Sequence, residues 1–192
     1  MRFSISHAFV ALSLASAIGC GASNAEAPTT HAAPPPPAPS GPVHARGGGD
    51  VTAVVGEAGG DLTLSNGLTL EIPAGALSEP VEITMRVATD SAAFRNREDE
   101  QAIGQSVRIT PDLTAATGKS FSLSVPFTSL PNGFAEADAA LAIERPVHER
   151  EGVMDSLVST RWDHIQATTA GGHMRAQTDR LEGFRIQFVV SR

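Results

Sequence analysis

Apolar and polar positions alternate along most of the chain after residue 50, with the two-residue period of half-buried strands. The clearest stretch is Gly67–Val87. Leu68, Leu70 and Ile72 alternate there with Thr69 and Glu71, and Pro73 ends the run. After a corner at residues 74–80, Val81, Ile83, Met85 and Val87 alternate with Glu82, Thr84 and Arg86. Pro73 and Pro80 withhold ladder N–H groups, which suits strand ends and corners. The same period predicts strands at Val51–Val55, Asp61–Leu64, Val107–Ile109, Phe121–Phe127 and Leu141–Ile143. Further strands follow around Trp162 and Ile165, around Met174 and Ala176, and over Phe184–Val190.

The connections carry information too. A two-residue Asn66-Gly67 loop would set Leu62 and Leu64 on the face opposite Leu68 and Leu70. A three-residue Ser65-Asn66-Gly67 loop pairs Leu64 with Leu68 and Leu62 with Leu70 on one face, with glycine at the left-handed position. The three-residue loop is therefore expected. Pro131-Asn132-Gly133 and Gly171-Gly172 read as turns, and Pro126 assigns its end of a strand to an edge or bulge. Asp90–Gln105 is polar. Its acids lack the spaced oxygen ligands of a Ca²⁺ loop, so it reads as an exposed charged loop. Pro146–Thr160 is poorly periodic and reads as a long loop, with a short helical turn at Met154–Leu157. Together these features predict an all-β fold: an antiparallel β-sandwich of about nine to ten short strands, forming one domain over residues 51–192.

The N-terminal part has another character. Arg2 precedes an apolar run from Ala8 to Ile18, and Gly19-Cys20 follows. That run is too short for a membrane span of ~20 residues, so residues 1–19 read as a signal peptide. A cysteine directly after Ala17-Ile18-Gly19 resembles a bacterial lipoprotein processing site, which implies acylation of Cys20 and anchoring to a membrane. Gly21, where inner-membrane lipoproteins often carry aspartate, points by the same resemblance to the outer membrane. The alternative is plain secretion with cleavage near Ala25 or Ala27. Cys20 is the only cysteine, so no intramolecular disulfide forms. Residues 20–50, rich in Pro, Ala and Gly, hold too little apolar surface to offset ordering entropy and are expected as a disordered tether.

Charge narrows the partners. Loss of residues 1–19 removes one arginine and no acid, shifting the formal charge from −7 to −8. Without a basic run the chain is a poor nucleic-acid binder, and no basic amphipathic stretch offers membrane-surface binding.

Candidate chemistry is sparse. There is no Gly-x-Ser-x-Gly turn, no Ser-x-x-Lys and no thiol beyond Cys20. His148, His164 and His173 are the histidines of the domain, and their separations fit no short zinc motif, although strands bring distant ligands together. No catalytic or metal residues are assigned, and no cofactor is expected. Sugar binding by an exported sandwich rests on exposed aromatics, here Phe94, Phe134 and above all Trp162. Trp162 is the one candidate ligand contact; burial in the core is its ordinary alternative.

Ile72-Pro73-Ala74-Gly75-Ala76-Leu77, preceded by Gly59-Gly60-Asp61-Leu62 and followed by an alternating strand, resembles the ZU-five domain. That β-sandwich is shared by zonula occludens scaffolds, netrin receptors of the uncoordinated-five class and ankyrins. Fainter matches at Val107–Pro111, Val125–Phe127, Trp162 with Ile165, and Phe184–Phe188 extend the resemblance over about residues 51–190. The absence of tyrosine rules out the tyrosine corner of immunoglobulin-like domains. Some relatives cleave themselves at His-Phe-Ser; the matching positions here are Gly183-Phe184-Arg185, so the resemblance implies loss of that reaction. It implies a non-enzymatic interaction or structural module in the cell envelope, contacting an envelope protein or glycan. A glycan-binding module is the alternative, and a metal-dependent hydrolase a further one.

Overall fold

The computed structural model describes residues 40–89, 99–151, 154–183 and 185–192. These lie in the compact unit Pro36–Arg192. Fourteen strands and one 3₁₀ turn (Glu136–Asp138) form them, with no α-helix among the described residues. The first sheet contains β1 (Val43–Gly47), β3 (Gly60–Leu64), β4 (Thr69–Ile72), β8 (Phe121–Pro126), β12 (His173–Thr178) and β11 (Thr168–Ala170), in the order β1-β3-β4-β8-β12-β11. The second contains β10 (Met154–Gln166), β9 (Ala139–Glu151), β14 (Arg185–Ser191), β6 (Glu100–Thr110), β5 (Val81–Val87) and β2 (Asp50–Val55), in the order β10-β9-β14-β6-β5-β2. A small third sheet pairs β7 (Leu113–Thr114) with β13 (Arg180–Leu181). Every pairing is antiparallel except that of β1 with β3. The two large sheets form the expected sandwich.

The core follows the alternation. Leu62, Leu70, Phe121, Leu123 and Met174 of the first sheet are buried in one cluster with Ile83, Met85, Val107, Ile109, Leu141, Ile143 and Phe188 of the second. Full burial of each such side chain contributes about 1.5–3 kcal/mol. The Leu64–Leu68 connection is the three-residue loop: Leu62 pairs with Leu70 and Gly67 has φ +83°. At the next corner the Ala76 N–H donates to Pro73 O, and Ile72 and Leu77 both join the core. Pro126 ends a central strand. Phe127 N–H donates toward β12, at Gly172 O, so the missing N–H of Pro126 faces β4, whose pairing with β8 runs no further than Ser124.

Four expectations need correction. Residues 43–47 lie in the stretch read as tether, yet they form β1, with Val43 and Ala45 packed on the core. The approach is close: a Cβ on Gly60 would sit 2.2 Å from Val43 O, so glycine is what admits the parallel strand. The strand crosses to the other sheet at Gly48-Gly49, whose carbonyls accept from Ser65 and Val87 N–H. Second, the strand at Val107–Ile109 is eleven residues long and begins at Glu100, inside the stretch read as a polar loop. An irregularity opposite Ile186/Phe188, around Gly104 (φ +71°), interrupts the alternation between Ile103 and Val107. Arg95, Arg97 and Glu98 lie outside the described residues.

Third, Pro146–Thr160 is neither loop nor helical turn. It belongs to a hairpin of two thirteen-residue strands, β9 and β10. Pairing of β9 with β14 stops at Glu144, so the ribbon beyond it runs about 23 Å at ~3.3 Å per residue with no further neighbour among the described strands. A ribbon of two strands with no third strand paired to it is not held to the two-residue period of a sheet packed on a core. Last, the strand count exceeds nine to ten because two-residue and three-residue bridges such as β7, β13 and β11 are too short to carry a period.

Candidate functional site

Glu144 and Arg185 anchor the candidate site, on the outer face of the second sheet. Leu141, Ile143, Ile186 and Phe188 point inward, so Ala140, Ala142, Glu144, Arg185, Gln187 and Val189 point out. Glu144 lies directly opposite Trp162 on β10 and Arg185 on β14, making one row across three strands. Arg185 grips Glu144 with two bonds, Nε to Oε2 at 2.5 Å and Nη2 to Oε1 at 2.7 Å. Thr160 Oγ1 donates to Oε1 at 2.9 Å. Both side chains are nearly closed to solvent, at 9% and 5% exposure for Arg185 and Glu144. The guanidinium carbon lies 5.7 Å from the centre of the Trp162 ring, within cation–π range.

A second, smaller apolar cluster sits beside this row. Ala140, Ala142 and Val189 form it, with Ala102 and Trp162 packed against it. Small side chains on three strands leave room for long ones to lie over them: His164 reaches Glu100, and Gln187 is held by Ser106 and by Ile103 O. Trp162 is thus half-buried on the outside of the sandwich. It is neither a member of the main core nor a bare platform, because one neighbour of its ring is Arg185.

The chemistry of this row is structural. A carboxylate clasped bidentately by a guanidinium and capped by a hydroxyl has its acceptor sites occupied, which suits it poorly to proton abstraction. Ser106 donates its hydroxyl to an amide oxygen of Gln187, not to a base. Gly183, at the position of the self-cleaving histidine, has φ +140°, and a Cβ there would lie 2.3 Å from Glu144 O. No side chain fits that backbone without movement. Arg185, at the serine position, is committed to Glu144. Phe184 lies outside the described residues, as do Cys20 and Phe94.

The three domain histidines are dispersed. His164 on β10 bonds Glu100, and Nδ1 of His173 on β12 contacts Gly171 O at 3.1 Å, in the other sheet. His148 sits opposite Leu157 on the projecting ribbon. Among the described residues no group of three His, Cys, Asp or Glu side chains is placed to hold a metal ion. Phe134 packs at the edge of the core beneath Arg192, whose guanidinium lies 4.7 Å from its ring centre.

Sequence reasoning marked Trp162 but missed Glu144 as the partner of Arg185. Their available signal was charge at outward positions of otherwise apolar strands, in Ala-Ile-Glu144 and Phe-Arg185-Ile.

Residues 51–136 match the family model of the ZU5 (ZU-five) domain. The match spans β2 to β8 and the Ile72–Leu77 corner and stops before β9, so the row at Glu144, Trp162 and Arg185 lies beyond it. No curated protein matches the chain. The ZU5 domain is a protein-interaction module and not an enzyme family. The corner, the strand order and this match agree in making residues 51–136 similar to the ZU5 domain.

Proposed function

We propose that the protein is a lipid-anchored, non-enzymatic interaction module of a Gram-negative cell envelope. The ZU5 match carries the interaction part of this reading. The apolar Ala8–Ile18 run before Gly19-Cys20 supports the anchor, and the Pro/Ala/Gly-rich stretch after it supports a tether that gives the sandwich reach. Function is then positional: the acyl chains fix the protein to the outer membrane, and the sandwich presents strands and loops to an envelope protein. The bidentate engagement of Glu144 favours this reading over hydrolysis, and Arg185 beside the Trp162 ring favours it over sugar stacking.

Photo-cross-linking in cells tests it. A photoreactive residue is placed at exposed positions on the two sheets, Arg175 and Glu82. A discrete cross-linked protein species, lost when Cys20→Ser releases the chain from the membrane, is the expected result. Cross-links to envelope glycan alone would favour the glycan-binding reading and overturn this one.

A further inference from the structure

The outermost strand of the second sheet, β10, has β9 as its sole paired strand among the described residues. It is also, with β9, the longest strand present. Natural sheets blunt such edges with charged side chains, lysine above all, with proline, with bulges or with short length. β10 contains neither lysine nor proline, and its one irregularity falls between Leu157 and Ser159. From Ser159 to Gln166 the register is unbroken. Ala167 N–H still donates to Ala139 O of β9, and the chain then leaves for the other sheet, where β11 begins. The regular part is therefore a short segment centred close to Trp162.

That segment is self-complementary in charge. Its centre reads Arg161-Trp162-Asp163. When two copies of β10 lie antiparallel with Trp162 opposite Trp162, Arg161 of each faces Asp163 of the other. Thr160 then faces His164, and Ser159 faces Ile165. Within one chain Arg161 lies directly opposite Arg145, with Asp163 between them at 3.2 Å from Arg161 Nε and 2.8 Å from Arg145 Nε. Arg145 also meets a second acid of its own chain, with Nη1 3.4 Å from Glu182 Oε2. The Arg161 side chain is 67% exposed, in position to meet an acid of another copy.

We propose that β10 is a docking edge for a second copy of this chain, joining two second sheets into one continuous sheet across a twofold axis at Trp162. The contact is isologous, so it closes at a dimer and does not propagate into a fibre. Main-chain hydrogen bonds give the affinity, as in other strand additions, and the two Arg161–Asp163 pairs fix the register.

Sedimentation velocity of the full chain in detergent micelles, over a concentration series, tests this. The variants are Arg161→Asp, Asp163→Arg, and the double swap. Each single reversal places like charges opposite each other twice per dimer and is expected to weaken dimerisation about 10-fold or more. The double swap restores both pairs and should recover wild-type association. So should mixing the two single variants, since their heterodimer sets two aspartates against two arginines. Association through the apolar N-terminal segment or an acyl chain would ignore all of these changes. A wild-type chain that stays monomeric throughout, single reversals without effect, or a mixture no better than either single variant alone would each overturn the proposal. Because Arg161 is largely exposed, circular dichroism of Arg161→Asp should match wild type, which keeps that arm readable.

Discussion

Removing either partner of the Glu144–Arg185 pair should cost far more than removing both. Arg185→Met keeps the length of the side chain but leaves a carboxylate at 5% exposure without the two guanidinium bonds that clasp it. Glu144→Gln takes the carboxylate charge away from a guanidinium at 9% exposure. Loss of one member of a buried ion pair typically destabilises by about 3–5 kcal/mol, because the other charge stays buried. Two charge-assisted bonds to Arg185, at roughly 1.5–3 kcal/mol each, give the same scale independently. The double replacement Glu144→Met with Arg185→Met removes both desolvated charges, and swaps of that kind range from neutral to stabilising by about 1–4 kcal/mol. Urea melts of the four proteins make a double-mutant cycle. The expected pattern is two severely weakened single variants and a double variant more stable than either. Single variants within about 0.5 kcal/mol of wild type, or additive effects in the double, would show that the pair lies in water and refute the reasoning.

Two further outcomes follow from packing and from the boundary of the fold. Leu77→Ala should lower stability by about 2–5 kcal/mol, whereas Glu82→Gln on the exposed side of β5 should shift it by less than about 0.5 kcal/mol; equal small shifts in denaturant melts would make the corner a surface loop. Limited proteolysis should leave a resistant fragment that begins before Val43, since β1 is paired with β3; a fragment beginning at Val51 would show that β1 is not held.

What the sequence disclosed depended on whether one face of each strand met the core. β4, β5 and β8 are flanked on both sides by strands, with one face on the other sheet, so their alternation is strict and the loop parity at Leu64–Leu68 followed from it. β1 was hidden because two half-buried side chains, Val43 and Ala45, suffice when a glycine strand lets the backbone approach. The ribbon was hidden because two strands with no third strand paired to them are not held to the period of a sheet packed on a core. The Glu144–Arg185 pair was hidden by separation: forty-one residues part its members, and nothing local to either says which distant strand lies alongside. Trp162 was visible as a large aromatic in a strand, but its place on the outer face depended on the register of β9 with β10, which no short motif encodes.

The proposed acylation of Cys20 is the step on which the envelope reading turns, and uptake of labelled palmitate by the chain expressed in a Gram-negative host measures it directly. The account predicts label on the wild-type protein, partition of that protein into the detergent phase, and loss of both in Cys20→Ser. An unlabelled, water-soluble wild-type chain, processed near Ala25 or Ala27, would contradict it.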